Sequence, residues 1–233
     1  MEWLAVTIQI YRKAFVRGAV LALKNWPVFA SLLAYSAILT VAGGFAVALG
    51  MLGGFLAGFV SAACAGSFLY LVEQIVRSSK VSLDDFRRSF GMYMWDIIGV
   101  SFVLWIFRMV ITPFVFSAPE SGVIFLCVEI AVLVFLNAVP ELIYFGHYSS
   151  MEIITESYKF IADNWIEWFP ANIVLTVLAF AIYLAPLPDS LHFLKLALLC
   201  LFLYYMFIVR GLIFIELFGS NRRGRAFRYR AGQ

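Results

Sequence analysis

Two apolar stretches joined by a short polar turn decide the fold: IIGVSFVLWIFRMVITPFVF (Ile97–Phe116) and VIFLCVEIAVLVFLNAVPELIY (Val123–Tyr144). An α-helix that rises 1.5 Å per residue needs about 20 apolar residues to cross the ~30 Å of hydrocarbon in a bilayer. Both stretches reach that length, and Arg108 interrupts the first while Glu129 interrupts the second. The pattern predicts a transmembrane hairpin with two opposite charges inside it.

The composition of the whole chain is typical of a protein whose solvent is lipid. Of its 233 residues, 64% are hydrophobic and 13% are charged, whereas soluble domains are about 45–50% apolar and about 25% charged. Six runs are long enough to span a membrane: Pro27–Leu49, Phe55–Val72, Ile97–Phe116, Val123–Tyr144, Ile166–Leu187 and Leu191–Phe218. We therefore predict an all-α integral membrane protein of six transmembrane helices arranged as three hairpins.

An amphipathic interfacial helix is expected on the cytoplasmic side before each hairpin, within a single membrane domain that covers residues 1–233. The predicted parts are an interfacial helix at 1–26, hairpin 1 at 27–76, an interfacial segment at 77–92, hairpin 2 at 93–147, an interfacial helix at 148–165, hairpin 3 at 166–219 and a basic cytoplasmic tail at 220–233. The tail is expected to be mobile and polar. No cleavable signal peptide is predicted, because no basic region precedes the first apolar residues.

The basic residues predict the orientation of the chain. In a six-span arrangement one side collects Arg12, Lys13, Arg17, Lys24, Arg77, Lys80, Arg87, Arg88, Lys159 and the arginines of the tail. The turns on the other side carry only Lys195. Cytoplasmic loops are enriched in lysine and arginine, so both termini are predicted to be cytoplasmic in a multi-pass protein of the inner (plasma) membrane. We expect this basic face to contact anionic lipid, and we expect no nucleic-acid partner.

A short repeat links the first and third hairpins. The sequence LALKNW (Leu21–Trp26) precedes hairpin 1, and FIADNW (Phe160–Trp165) precedes hairpin 3. Each hairpin then ends near a glutamate, Glu73 in the first and Glu216 in the third. Hairpin 2 lacks the Asn-Trp pair, and we interpret it as a diverged third copy of a parallel repeat.

At Lys24-Asn25-Trp26 and Asp163-Asn164-Trp165 the chain resembles the membrane domain attached to some bacterial glycerophosphodiester phosphodiesterases, and its stand-alone six-span relatives. The resemblance covers the six-span layout and implies a bacterial inner-membrane protein. Because the sequence contains no phosphodiesterase domain, the resemblance assigns no catalytic residue.

Small residues recur every fourth position where hairpin 1 turns back, at Gly54, Gly58, Ala62 and Gly66. This spacing lets helix backbones approach closely, so it predicts a tight packing face. A glycine-lined permeation path is the alternative. The three cysteines each fall within a span and are expected to be small packing residues rather than disulfide or metal ligands.

Charged side chains inside the bilayer are functional candidates because each costs at least ~2.5–3.5 kcal/mol near the middle of a helix. Arg108 precedes the hairpin 2 turn by about ten residues and Glu129 follows it by about ten, which places both roughly 10–15 Å from the turn. We expect the two to meet. The pair is interpreted as a buried structural ion pair, with a substrate or ion site, or a snorkelling arginine beside a protonated glutamate, as alternatives.

A second polar group is predicted nearer the cytoplasm. Its members are Glu73, Asp96, Asn137, Glu141, Arg210 and Glu216. Arg210 and Glu141 lie at similar distances from the ends of their spans and are expected to lie at the same depth. Pro140 removes a backbone hydrogen bond beside Glu141, which predicts either a packing kink or a broken helix that coordinates a cation.

The sequence contains no HExxH, GxSxG, P-loop or dinucleotide fingerprint, and it predicts no catalytic residue, metal or cofactor. The leading hypothesis is a non-enzymatic scaffold or accessory subunit of an envelope or transport complex, with another membrane protein or a homo-oligomer as partner. The alternative is a small transporter or channel with a polar site around Arg108–Glu129 and Pro140–Glu141. A lipid-modifying enzyme, with Glu141, His147 and Ser149 near the interface, is a third hypothesis.

Overall fold

The fold is all-α over the part of the chain that the structure, a computed structural model, describes. The described residues are 2–117, 120–146, 148–186, 188–220, 224–225 and 227. The helices are α1 (Glu2–Lys24), α2 (Pro27–Ser78), α3 (Leu83–Ser89), α4 (Met94–Phe116), α5 (Ser121–Phe135), α6 (Val139–Phe145), α7 (Ser150–Leu184) and α8 (His192–Leu217), with a 3-10 turn at Asp189–Leu191. The segments Pro27–Ser78, Leu83–Phe116, Ser121–Phe145, Ser150–Leu184 and His192–Leu217 are long and apolar enough to cross a membrane. The predicted all-helical fold is therefore confirmed, and these segments are compatible with the predicted membrane class.

Helix α2 is too long for one crossing, and it reverses direction at Gly50. This residue has φ 57° and ψ −129°, a conformation that glycine adopts without the strain of a side chain. After the reversal, Gly53 lies against the backbone of Ala46, and the hydroxyl groups of Tyr35 and Ser67 are 2.6 Å apart. Helix α2 therefore forms two antiparallel halves, α2a (27–49) and α2b (51–78), as the sequence predicted for hairpin 1.

Hairpin 2 consists of α4 and α5, and its second helix is interrupted at Phe135. Helix α5 ends at Phe135, and α6 begins at Val139 with Pro140 in its first turn. Pro140 has no N–H to donate to Leu136, whose carbonyl instead accepts the N–H of Val139 at 3.1 Å. The predicted span Val123–Tyr144 is therefore two helices, and the break falls where the proline predicted it.

The predicted boundary between an interfacial helix at 148–165 and a span from residue 166 is wrong, because α7 is continuous from Ser150 to Leu184. In the first copy of the repeat, Pro27 directly follows Trp26 and stops the helical hydrogen-bond ladder. The third copy has Ile166 at that position, and its proline comes later, at Pro170, inside the helix. The shared Asn-Trp pair therefore ends a helix only where a proline follows it.

Helix α1 packs antiparallel to the C-terminal half of α8. Lys13 contacts Glu216, Gly18 lies against Val209, and the Tyr204 hydroxyl donates to the Asn25 carbonyl at 2.9 Å. The face that packs on α8 is Thr7, Ile10, Ala14, Gly18 and Leu21. A helix is present where the amphipathic helix was predicted, but the sequence pattern did not separate this buried face from the exposed apolar residues Ile8, Val16, Val20 and Leu23.

Burial is concentrated at one end of the three hairpins. We call the end that contains Gly50, Glu120 and Ser190 the turn end, and the opposite end the basal end. The fully buried side chains of α2b, α6, α7 and α8 lie toward the basal end: Leu71, Ile75, Leu142, Tyr144, Ile153, Ile161, Trp168, Tyr204, Ile208, Ile213 and Phe214. In contrast, α5 has no buried residue and α4 has only Val100 and Val115. The apolar turn ends would be costly in water, at about 25 cal/mol per Å², so they require lipid or another protein around them.

Candidate functional site

The structure brings Arg108 and Glu129 together within hairpin 2. A guanidinium nitrogen of Arg108 donates to a carboxylate oxygen of Glu129 at 2.7 Å. The pair lies at the surface, since the side chains are 56% and 28% exposed. The predicted contact is therefore present, but the pair is not buried within the protein.

Arg210 and Glu141 form a second ion pair, which lies inside the basal core. Arg210 binds both carboxylate oxygens of Glu141, at 2.7 and 2.9 Å, and both side chains are buried. A two-pronged contact of this kind satisfies a carboxylate more completely than a single hydrogen bond does. The guanidinium also stacks over the ring of Trp168, at 5.2 Å from its centroid. Each charge thus has its partner within the protein.

The break between α5 and α6 completes the shell of Arg210. The backbone carbonyl of Asn137 lies in the break and accepts a hydrogen bond from Arg210 at 2.6 Å. The side-chain oxygen of Asn137 accepts the indole N–H of Trp168 at 2.8 Å. Pro140 therefore produces more than a kink. The interruption frees the backbone carbonyl of Asn137, and this carbonyl accepts a hydrogen bond from Arg210.

Glu73 belongs to a different cluster. Its carboxylate accepts the hydroxyl of Tyr93 at 2.5 Å and pairs with Arg77, one turn along α2b, at 2.9 Å. Arg77 is itself held over the ring of Phe145, at 5.0 Å from the centroid. Between this cluster and Arg210 lies Tyr144, whose buried hydroxyl has no hydrogen-bond partner among the described residues.

The other two predicted members of the polar group lie apart from it. Asp96 is half-buried in the first turn of α4. Glu216 pairs with Lys13 of α1 at 3.3 Å. The six residues that the sequence grouped together are therefore distributed over several contacts, and only Asn137, Glu141 and Arg210 share one.

One buried polar contact was missed by the sequence analysis. Glu167 and Arg225 are both buried and approach each other at 3.4 Å, and the hydroxyl of Tyr11 donates to the Glu167 carbonyl at 2.7 Å. Burial raises the pKa of Tyr11 to about 12, so its proton remains available for this bond. Arg225 belongs to the tail that was expected to be mobile and polar, but its side chain is buried against Glu167. A glutamate at the start of an apolar run was the available signal.

The residues proposed for a lipid-modifying enzyme do not form a described site. Glu141 is bound by Arg210, and the hydroxyl of Ser149 donates to Glu152 at 2.9 Å as part of the cap of α7. His147 lies outside the described residues. Ser149 therefore has a structural role at the beginning of a helix.

The cavities at the basal end include two that described residues line. The larger, of about 950 Å³, lies between the first half of α7 and the residues after α8, and the smaller, of about 360 Å³, lies between α1, α2b and α8. Neither is lined by Arg108, Glu129, Glu141 or Arg210. Among the described residues, no group of three or more histidine, cysteine, aspartate or glutamate side chains is placed to hold a metal ion.

The two ion pairs thus differ in their access to other molecules. Arg210 and Glu141 are buried and hydrogen-bonded within the protein, whereas Arg108 and Glu129 are exposed and can form hydrogen bonds with another molecule. No family model, curated protein or solved structure matches the chain.

Proposed function

We propose that the chain is a six-span protein of the bacterial inner membrane with both termini in the cytoplasm. The reversal at Gly50 supports two crossings for α2, and α4, α5 with α6, α7 and α8 supply one crossing each. The basal end carries Lys13, Arg17, Arg77, Lys80, Arg87, Arg88 and Lys159, whereas the turn end carries Lys195. This asymmetry supports a cytoplasmic basal end.

We further propose that the protein is a non-enzymatic scaffold or accessory subunit of an envelope or transport complex. The observation that carries this proposal is the exposure of the Arg108–Glu129 pair in the middle of hairpin 2. A charge at the centre of a membrane helix costs at least ~2.5–3.5 kcal/mol. The contact with Glu129 offsets part of this cost, but more than half of the Arg108 side chain remains uncovered. A protein partner over hairpin 2 would supply the missing hydrogen-bond acceptors.

The surface around the pair fits such a partner. Trp105, Met109, Leu126 and Leu133 are all more than half exposed on the same hairpin. Tryptophan, methionine and arginine are enriched in the contact surfaces of protein complexes. The partner is therefore another membrane protein, or a second copy of this chain, whose polar groups face Arg108.

The transporter alternative has less support. Coordination of a cation at the helix break requires free oxygen ligands, but the Asn137 carbonyl and both oxygens of Glu141 are bound by Arg210. Uptake of ions and small anions by liposomes that contain the purified protein separates the two proposals. Flux that is lost in Arg108→Ala would favour the transporter.

Reversal of both charges tests the accessory role. In Arg108→Glu/Glu129→Arg the pair can re-form, so we expect the unfolding temperature of the wild type, whereas Arg108→Glu alone leaves two acids together and lowers it. Since the double reversal presents the wrong charge at each position to a partner, the assembly purified in mild detergent should lose mass by light scattering. The matched control is Glu156→Lys/Lys159→Glu, a reversal of an exposed pair outside hairpin 2, which should keep the full assembly. Assemblies of equal mass in the wild type and in the hairpin 2 reversal would contradict the proposal.

A further inference from the structure

The smaller cavity, of about 360 Å³, lies at the basal end where α1, α2b and α8 meet. Its volume falls in the range of about 300–1,000 Å³ that is usual for ligand sites. Lys13, Arg17, Arg77 and Glu216 supply its charged lining, and Ile10 and Ile215 are among its apolar lining residues. Because three separate helices form this cavity, it exists only in the folded protein.

The charges of the cavity favour an anion. Arg77 is fixed by Glu73 and by the ring of Phe145, and Lys13 pairs with Glu216. Arg17, one helical turn after Lys13, makes no ion pair with a described side chain. Lys13, Arg17 and Arg77 therefore carry one more positive charge than the negative charge of Glu73 and Glu216 together. Two cations four residues apart repel each other on a helix, and a bound anion would relieve that repulsion.

The floor of the cavity is apolar. Of its lining residues, Ile10, Ala14 and Val76 are buried, while Ile215 is 44% exposed. A soluble inorganic anion would gain nothing from contact with these residues. A molecule with a single negative charge beside hydrocarbon would match both the cationic lining and the floor.

We propose that this cavity binds the phosphate group of an anionic phospholipid, with Arg17 as its principal cation. A phosphodiester carries one negative charge, which matches the excess positive charge of the site, and the acyl chains would lie along Ile215. Basic pockets between membrane helices on the cytoplasmic side are suited to such headgroups. The inference depends on the proposed orientation, which puts the basal end at the cytoplasmic leaflet, but not on the proposed accessory role.

The test is a titration of the purified full-length chain, in a neutral detergent, with short-chain phosphatidylglycerol, phosphatidylcholine or inorganic phosphate. Bound lipid is counted by native mass spectrometry. We expect Arg17→Gln to weaken phosphatidylglycerol binding about tenfold, since it removes a charge-assisted contact. Glu216→Gln removes a repulsive carboxylate and should strengthen binding. Arg12→Gln is the matched control, because Arg12 is an exposed cation of the same helix that does not line the cavity.

Three results would overturn the inference. Equal weakening by Arg17→Gln and Arg12→Gln would indicate general surface charge rather than a site. Equal affinities for phosphatidylcholine and phosphatidylglycerol would show that the net charge of the lipid does not determine binding. Displacement of phosphatidylglycerol by an equal concentration of inorganic phosphate would indicate a soluble anion as the ligand. No partner is present in this assay, so its outcome is independent of the assembly measurement on hairpin 2.

Discussion

At the scale of residues, the chain uses arginine–glutamate pairs in opposite environments. Arg210 and Glu141 are enclosed by Asn137 and Trp168, and both charges are satisfied. Arg108 and Glu129 have one short contact and an open side. The buried pair of Arg210 and Glu141 holds helices together, whereas the exposed pair of Arg108 and Glu129 can still bind another molecule.

The buried pair gives a prediction about stability. Glu141→Ala leaves Arg210 buried without its counter-charge, so it should lower the free energy of unfolding by about 3–5 kcal/mol. Glu141→Leu/Arg210→Met replaces both charges with apolar groups of similar size and should recover most of that loss. Denaturant titration in detergent measures both variants. A double variant as unstable as the single one would contradict a purely structural role for the pair.

At the scale of elements, the row of small residues on α2b divides into two parts. A Cβ on Gly66 would lie 3.0 Å from the backbone nitrogen of Met94, so α2b and α4 are in close contact there. Around Gly54 and Gly58 nothing lies within 4 Å of the position of a Cβ. The predicted tight packing face is therefore formed at its basal part and open at its turn part.

This division predicts different effects for the same substitution. Gly66→Ala pushes the added methyl against backbone that cannot move aside, and it should destabilise the protein by about 1–3 kcal/mol. Gly58→Ala adds its methyl in open space, where the better helix propensity of alanine should leave stability unchanged or raise it by up to about 1 kcal/mol. The free energies of unfolding of the two variants, measured from denaturation curves in the same detergent, test this difference. Equal destabilisation would mean that the two positions have similar packing.

How much the sequence could predict also depends on the element. The hairpins and the pairing of Arg210 with Glu141 were predictable, because apolar length and the position of each charge along its helix determine them. The continuity of α7 was not, because the local sequence at Asn164-Trp165 matches Asn25-Trp26 and only the place of the next proline differs. The contact of Arg225 with Glu167 was predictable only on one side: Glu167 stands at the start of an apolar run, but nothing in a basic tail distinguishes an arginine that folds back.

At the scale of the whole molecule, the packed core and the apolar surface occupy opposite ends. Hydropathy marks both as apolar, so the sequence alone could not tell which apolar residues face each other and which face lipid. Trp168 and Phe214 are buried at the basal end, whereas Phe45, Phe114 and Phe180 are more than half exposed toward the turn end. The molecule resembles a compact base from which three apolar hairpins extend.

The most direct test of this architecture is the labelling of single cysteines in right-side-out membrane vesicles. Cys64, Cys127 and Cys200 are replaced by alanine, and one cysteine is then introduced at Met51, Glu120 or Ser190 of the turn end, or at Lys80 or Arg88 of the basal end. A maleimide that cannot cross the membrane should label all three turn-end positions directly. It should label Lys80→Cys and Arg88→Cys only after the vesicles are permeabilised. Labelling of any turn-end position from the same side as Lys80 would contradict the six-span account.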